Sequence, residues 1–254
     1  MKNKLLLLLV SLIVLSSCTK DNSNSSSNYK IENQQATGSS AYDILSDDTY
    51  KSLVIELVYV EGFAPTAAAL NNFQNFLNDR IYKPDGITIE TRAIASPGES
   101  PYTTKEIAAI EDKNRTLYNS ENQIAVWMFF ADGESDQNDE DSVVLGTAYR
   151  NTSFVIYEET IHGYSDSRYE PNRGTLESTV INHEFGHILG LTNLGTAMTE
   201  DHEDPEHDKH CDVESCLMYW AAESSSSLGN LFNAGTVPQL DPKCLADLQA
   251  NGGK

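Results

Sequence analysis

The chain has 254 residues, with 17 Lys and Arg against 38 Asp and Glu, a formal charge of −21, and 39% hydrophobic residues. That length suits one globular domain, or at most two small ones. So few cations among so many carboxylates leave no basic patch for nucleic acid and disfavour anionic membrane surfaces as partners.

In chain order, Lys2 and Lys4 flank the start of an apolar run from Leu5 to Leu15. The run is too short to span a bilayer but has the length of a signal-peptide core. It ends in Leu15-Ser16-Ser17-Cys18, which resembles a bacterial lipobox. The expectation is a signal peptide over residues 1–17, with Cys18 as the lipidated first residue of the mature chain. Lys20-Asp21 is similar to the short acidic export tag of Bacteroidetes surface lipoproteins. An outer-membrane lipoprotein exposed at the cell surface, or otherwise facing the periplasm, is therefore expected, held to the membrane only by its lipid. Residues 18–41 are mostly Ser, Asn, Gln, Thr, Gly and charged groups without an apolar period, so they read as a flexible tether reaching about 25–30 Å. The folded domain is expected over 42–254, as a monomer.

Ser52 to Val60 is a β-branched and leucine-rich run, Ala64 to Leu77 has helical spacing, and Gly86 to Ala93 alternates, which predicts strand, helix, strand. Thr103 can cap a helix running through Leu117, Gln123 to Ala131 predicts a third strand, and Val143 to Tyr157 predicts two more, turning near Arg150-Asn151. An α/β (α+β) fold follows: a twisted five-stranded mixed sheet with two intervening helices, then an active-site helix and a short closing helix from Asp241. Between the third and fourth strands, Asp132 to Asp141 is dense in oxygen ligands that could hold calcium. Its spacing departs from the EF-hand loop, so a solvated loop is expected.

The chemistry-bearing residues follow position 174. Thr175 is a candidate N-cap, and Leu176 to Leu191 is apolar all round, which predicts a buried helix. Within it stands His183-Glu184-Phe185-Gly186-His187. Four residues are just over one helical turn, so both imidazoles leave one face and can share a metal ion, with Glu184 beside them. Two nitrogen donors and a third ligand suit zinc with an open position for water.

His183-Glu184-x-x-His187-x-x-Gly190 with a downstream methionine resembles the metzincin clan of zinc peptidases. Where the commonest pattern puts its third ligand, this chain has Asn193. His210-Cys211-Asp212-Val213-Glu214-Ser215-Cys216-Leu217-Met218 is similar to the archaemetzincin segment that carries the third histidine and the Met-turn. The resemblance implies His183, His187 and His210 as ligands of one catalytic Zn2+, with His202 as the alternative third ligand and His207 or Asn193 behind it. It also implies Glu184 as general base and general acid, and Met218 as a floor under the metal that does not bind it. The same resemblance implies that an extended peptide would lie on an edge strand from Val143 to Ala148, against Gly146, Thr147 and Ala148. His162, remote from the motif, is expected to be structural or exposed.

Lipidation of Cys18 leaves Cys211, Cys216 and Cys244. In an extracytoplasmic chain a Cys211–Cys216 disulfide is expected, with Cys216–Cys244 as the alternative. The resembled family uses these cysteines with a later C-x-x-C in a structural zinc site; with only Cys244 downstream, that site is not predicted. The function expected is zinc-dependent endopeptidase action on protein or peptide substrates. A zinc-containing surface lipoprotein that binds or adheres without catalysis is the alternative.

Overall fold

The computed structural model describes residues 23–140, 142–167, 170–222 and 236–254. The signal-peptide run and Cys18 lie outside them. No helix among the described residues is long and apolar enough to cross a membrane.

Five strands form one sheet in the order β2-β1-β3-β5-β4. They are β1 (Ser52–Val60), β2 (Ile87–Ile94), β3 (Gln123–Ala131), β4 (Gly146–Arg150) and β5 (Ser153–Tyr157). β2, β1, β3 and β5 run parallel, and β4 turns back antiparallel on β5. The mixed five-stranded sheet is the one expected. β1 and β3 are central and nearly continuous in apolar residues because both their faces are covered. Ile55, Leu57, Val126, Met128 and Phe130 join one core, and Val58, Val60, Trp127 and Phe129 join the other. The strand alternation thereby separates two packed layers.

The first layer is made by α3 (Ala67–Arg80) and α6 (Arg173–Ile188), which pack on each other and on the same sheet face. Phe185 is its centre, meeting Phe73 edge-on at 5.2 Å between centroids and Phe154 at 6.2 Å. The second layer is α4 (Thr104–Asn114), which buries Ile107 and Ile110, and the short α5 (Glu158–Gly163) follows β5 directly. Thr66 caps α3, and Thr103 with Glu106 forms a reciprocal capping box on α4. The central strand carries one buried acid, Glu56. Arg92 Nη2 donates to it at 2.7 Å, and so do the amides of Thr116 and Leu117, so a charge in mid-sheet is fully bonded.

Several boundaries differ from expectation. α6 starts earlier than a Thr175 cap implies, because the Asn172 side chain accepts from Gly174 N. It ends at Ile188, where Gly190 takes φ +72 and turns the chain out. β4 begins at Gly146 rather than Val143. The closing helix α7 (Pro242–Ala250) follows its Asp241 cap as expected.

At the N-terminal side, α1 (Ser23–Glu32) is followed by a packed segment that leads into α2 (Ala41–Leu45). Asn33 is fully buried and donates to Asn119 Oδ1, Ala125 O and Thr152 Oγ1. Gln35 N donates to Asn151 Oδ1, and Asn151 N returns a bond to Gln35 O. Residues 33–41, assigned from composition to the tether, are thus part of the folded body. The side chains of Asn33 and Thr37 bond to the sheet.

Candidate metal centre

His183, Glu184 and His187 are held by α6, whose middle is buried on every side. His183 Nδ1 donates to Leu217 O at 2.7 Å, which makes Nε2 the nitrogen offered to a metal. His183 Nε2 and His187 Nε2 are 3.1 Å apart, close to the roughly 3.3 Å of two nitrogens bound tetrahedrally to one zinc. His210 Nδ1 donates to Asp208 O at 3.0 Å, and its ring centroid lies 5.3 Å from His183 and 5.2 Å from His187. The three histidines offer ligand nitrogens that all lie within 4.8 Å of one another. The sequence-expected triad is therefore brought together, and its all-imidazole donor set fits zinc.

The other candidates for third ligand are engaged elsewhere. His207 stacks on Trp220 at 4.4 Å and pairs with Asp204, and Asn193 donates to Glu203. His202 belongs to a second cluster, described below. His162 stacks on Phe63 and lies 3.0 Å from Arg173 Nη1, away from the triad.

Two glycines let the site close. A Cβ on Gly186 would stand 2.3 Å from Met218 Sδ, so the helix sits directly on the methionine floor. A Cβ on Gly146 would stand 2.7 Å from Glu184 Cγ and 2.8 Å from its Oε1. The start of β4 therefore lies against the carboxylate. Of the expected substrate-strand residues, Gly146, Thr147 and Ala148 all line a cleft of about 220 Å³ with Glu184, His187 and His210. The steric role of Gly186 was present in the sequence only as a small residue between the two histidines.

The second cluster corrects the expected chemistry of the cysteines. Cys211, Cys216 and Cys244 are reduced and buried, so neither the Cys211–Cys216 nor the Cys216–Cys244 disulfide is formed. Cys216 Sγ lies 3.7 Å from Cys244 Sγ, and His202 Nδ1 lies 4.0 Å from Cys244 Sγ. His202, Cys211, Asp241 and Cys244 offer ligand atoms within 4.8 Å of one another. Cys216 Sγ also accepts from Met218 N and Asp241 N. The Asp241 carboxylate already accepts from Cys244 N as the cap of α7. Two sulfurs, one imidazole and one carboxylate form a four-donor set suited to zinc, with Cys216 beside it. His202 is the imidazole of this set. Its Nε2 bonds to Asp247 Oδ2 at 2.7 Å, an aspartate the sequence did not single out. Crowding shapes the thiols. Bonds from Cys216 and then Cys244 pull Cys211 far below the ordinary thiol range, and bonding to Cys211 pushes Cys216 up to about 12.

No family model and no curated protein matches the chain. Among solved structures it resembles an archaemetzincin from Methanopyrus kandleri, with a TM-score of 0.51 and 18% identity over 79% of this chain and 96% of that one. It also resembles metalloproteinase-II from Bacteroides fragilis, with a TM-score of 0.42 and 14% identity over 90% of this chain and 68% of that one. At these identities the likeness shows the fold, and the fold is archaemetzincin-like.

Proposed function

We propose that this chain is a zinc-dependent peptidase. The observation that carries the reading is the convergence of three imidazoles beside Glu184, at the open edge of a sheet that can take an extended peptide. When bound, zinc supplies Lewis acidity toward a peptide carbonyl and toward water. The protein's own groups do the rest. Leu217 O and Asp208 O fix the tautomers of His183 and His210. Glu184 takes a proton from the attacking water and delivers it to the leaving amine. The outer main chain of β4 holds the substrate in register with that carboxylate, and no acyl-enzyme is needed.

The cluster of His202, Cys211, Asp241 and Cys244 is the proposed site of a second, structural zinc ion, because four protein donors of metal-binding type converge there in buried surroundings. We further propose an outer-membrane lipoprotein anchored through Cys18 and acting as a monomer on protein or peptide substrates outside the cell; the support is the h-region and Leu15-Ser16-Ser17-Cys18. The test is mass-spectrometric reading of cleavage in a diverse peptide library by zinc-loaded protein beside Glu184→Ala. Cleavage by the unmodified protein alone is expected. Stoichiometric zinc in both proteins with cleavage by neither would favour a non-catalytic binding module.

A further inference from the structure

The N-terminal segment reaches the cleft. Tyr157 N donates to Leu145 O at 2.9 Å, so in the β4–β5 register Leu145 and Thr147 are the bonded positions, and the main chains of Gly146 and Ala148 point away from the sheet. Those two residues are the edge available to a peptide. Gly146 lies against Glu184, which places the reacting bond at that end. At the other end Thr37 Oγ1 donates to Ala148 O at 3.4 Å, and Thr37 lines the same cleft.

Thr37 stands in a closely packed stretch of backbone. Gly38, at φ +79, is packed so closely that a Cβ would stand 1.6 Å from Leu194 O. Across the same contact, a Cβ on Gly195 would stand 2.6 Å from Gly38 O. The two-way bonds between Gln35 and Asn151 hold the preceding residues to the β4–β5 hairpin.

We propose that Thr37 is a specificity-determining residue that closes the cleft on the N-terminal side of the scissile bond. This rests on the peptidase reading. An added strand pairs better antiparallel to β4, so its N-terminal part runs from Gly146 toward Ala148. That run is about 7 Å, or two residues, before it meets Thr37. The substrate class is peptides with an accessible N-terminus, cut after their second residue. One water is consumed and the C–N bond breaks. The hydroxyl goes to the acyl carbon of the released dipeptide and the proton to the new amine. This narrows the endopeptidase expectation. The competing account is that Thr37 merely blunts an exposed sheet edge.

The experiment uses the full chain loaded with zinc and one cleavable sequence preceded by one, two, three or five residues. Peptides with two residues ahead of the bond are expected to have a kcat/KM at least about tenfold above those with three or five. Thr37→Gly should raise the rate on the long peptides, and Thr37→Trp should depress it further, with zinc content unchanged in both. Equal rates at every length, or a length preference that neither variant moves, overturn the proposal and leave the peptidase reading standing. If the unmodified protein cuts no peptide of any length, both fall together.

Discussion

Gly146→Ala tests whether the edge strand positions the catalytic carboxylate. The new Cβ would stand 2.7 Å from Glu184 Cγ and 2.9 Å from Val180 Cγ1, whereas comfortable carbon contacts begin at about 3.5 Å. Val180 and Glu184 are one turn apart on the same buried helix, so the relief is divided between a small retreat of β4 and a displacement of the carboxylate by about 0.7–1 Å. A misplacement of that size costs about a hundredfold in rate, or about 2.7 kcal/mol of barrier. Added strain should lower stability by about 1–3 kcal/mol. The assay is kcat/KM on a peptide the unmodified protein cuts, beside zinc content and urea unfolding. The expected result is a loss in kcat/KM with zinc retained. Unchanged kcat/KM with intact zinc would refute the contact between Gly146 and Glu184 as a determinant of geometry, and loss of zinc in step with activity would show that the damage is to the ligands instead.

Three further outcomes are expected. Glu158 is fully buried, and burial followed by the nearby charge of Glu177 pushes its carboxyl up to about 10. The folded state then keeps a proton that the unfolded chain loses above about pH 4.5, so stability is highest below that value and declines as pH rises toward 10, by up to about 1.4 kcal/mol per pH unit. Glu158→Gln should flatten the decline in Tm measured between about pH 5 and 9, and an equal slope in both proteins would refute it. Cys244→Ser or His202→Ala should lower bound zinc by one ion per chain by metal analysis, leaving the ion at His183 and His187 in place; an unchanged metal count would remove the second centre. Asn33→Ala deprives Asn119, Ala125 O and Thr152 of a donor and should cost about 2–3 kcal/mol in urea unfolding. A loss under about 0.5 kcal/mol would show that the segment is not anchored there.

Much of the architecture was legible because period and burial agree. β1 and β3 occupy the ranges their apolar runs indicate, and Thr103 caps the second helix through the capping box its spacing with Glu106 allows. His183, Glu184 and His187 were readable because one helical turn is a local rule. The position of His210 came from resemblance, since the loop carrying it obeys no period. What was not legible depends on contacts distant in sequence. His202 meets Cys244 and Asp247 across more than forty residues, so counting cysteines alone suggested a disulfide and an incomplete metal site. Residues 33–41 looked like tether because Asn, Gln and Ser serve equally as solvated coil and as bonded partners of a sheet. Only Asn33 Nδ2 reaching Ala125 O tells the two apart.

His210 and Cys211 are joined by one peptide bond, and the loop that carries them is secured by the far end of the chain. Asp247 binds both His202 and Thr199, and Cys244 reaches the same cluster. An emerging polypeptide can therefore form α6, with His183 and His187 in place, well before the third imidazole has a defined position. The bonds that tie His202 and Thr199 to Asp247 form only once α7 has been synthesised and docked. A chain cut short after Met218 would hold every residue of the triad in its sequence but lack Cys244 and Asp247 against its loop. The helix α7 is thus a tertiary support for a loop that precedes it by some thirty residues in sequence.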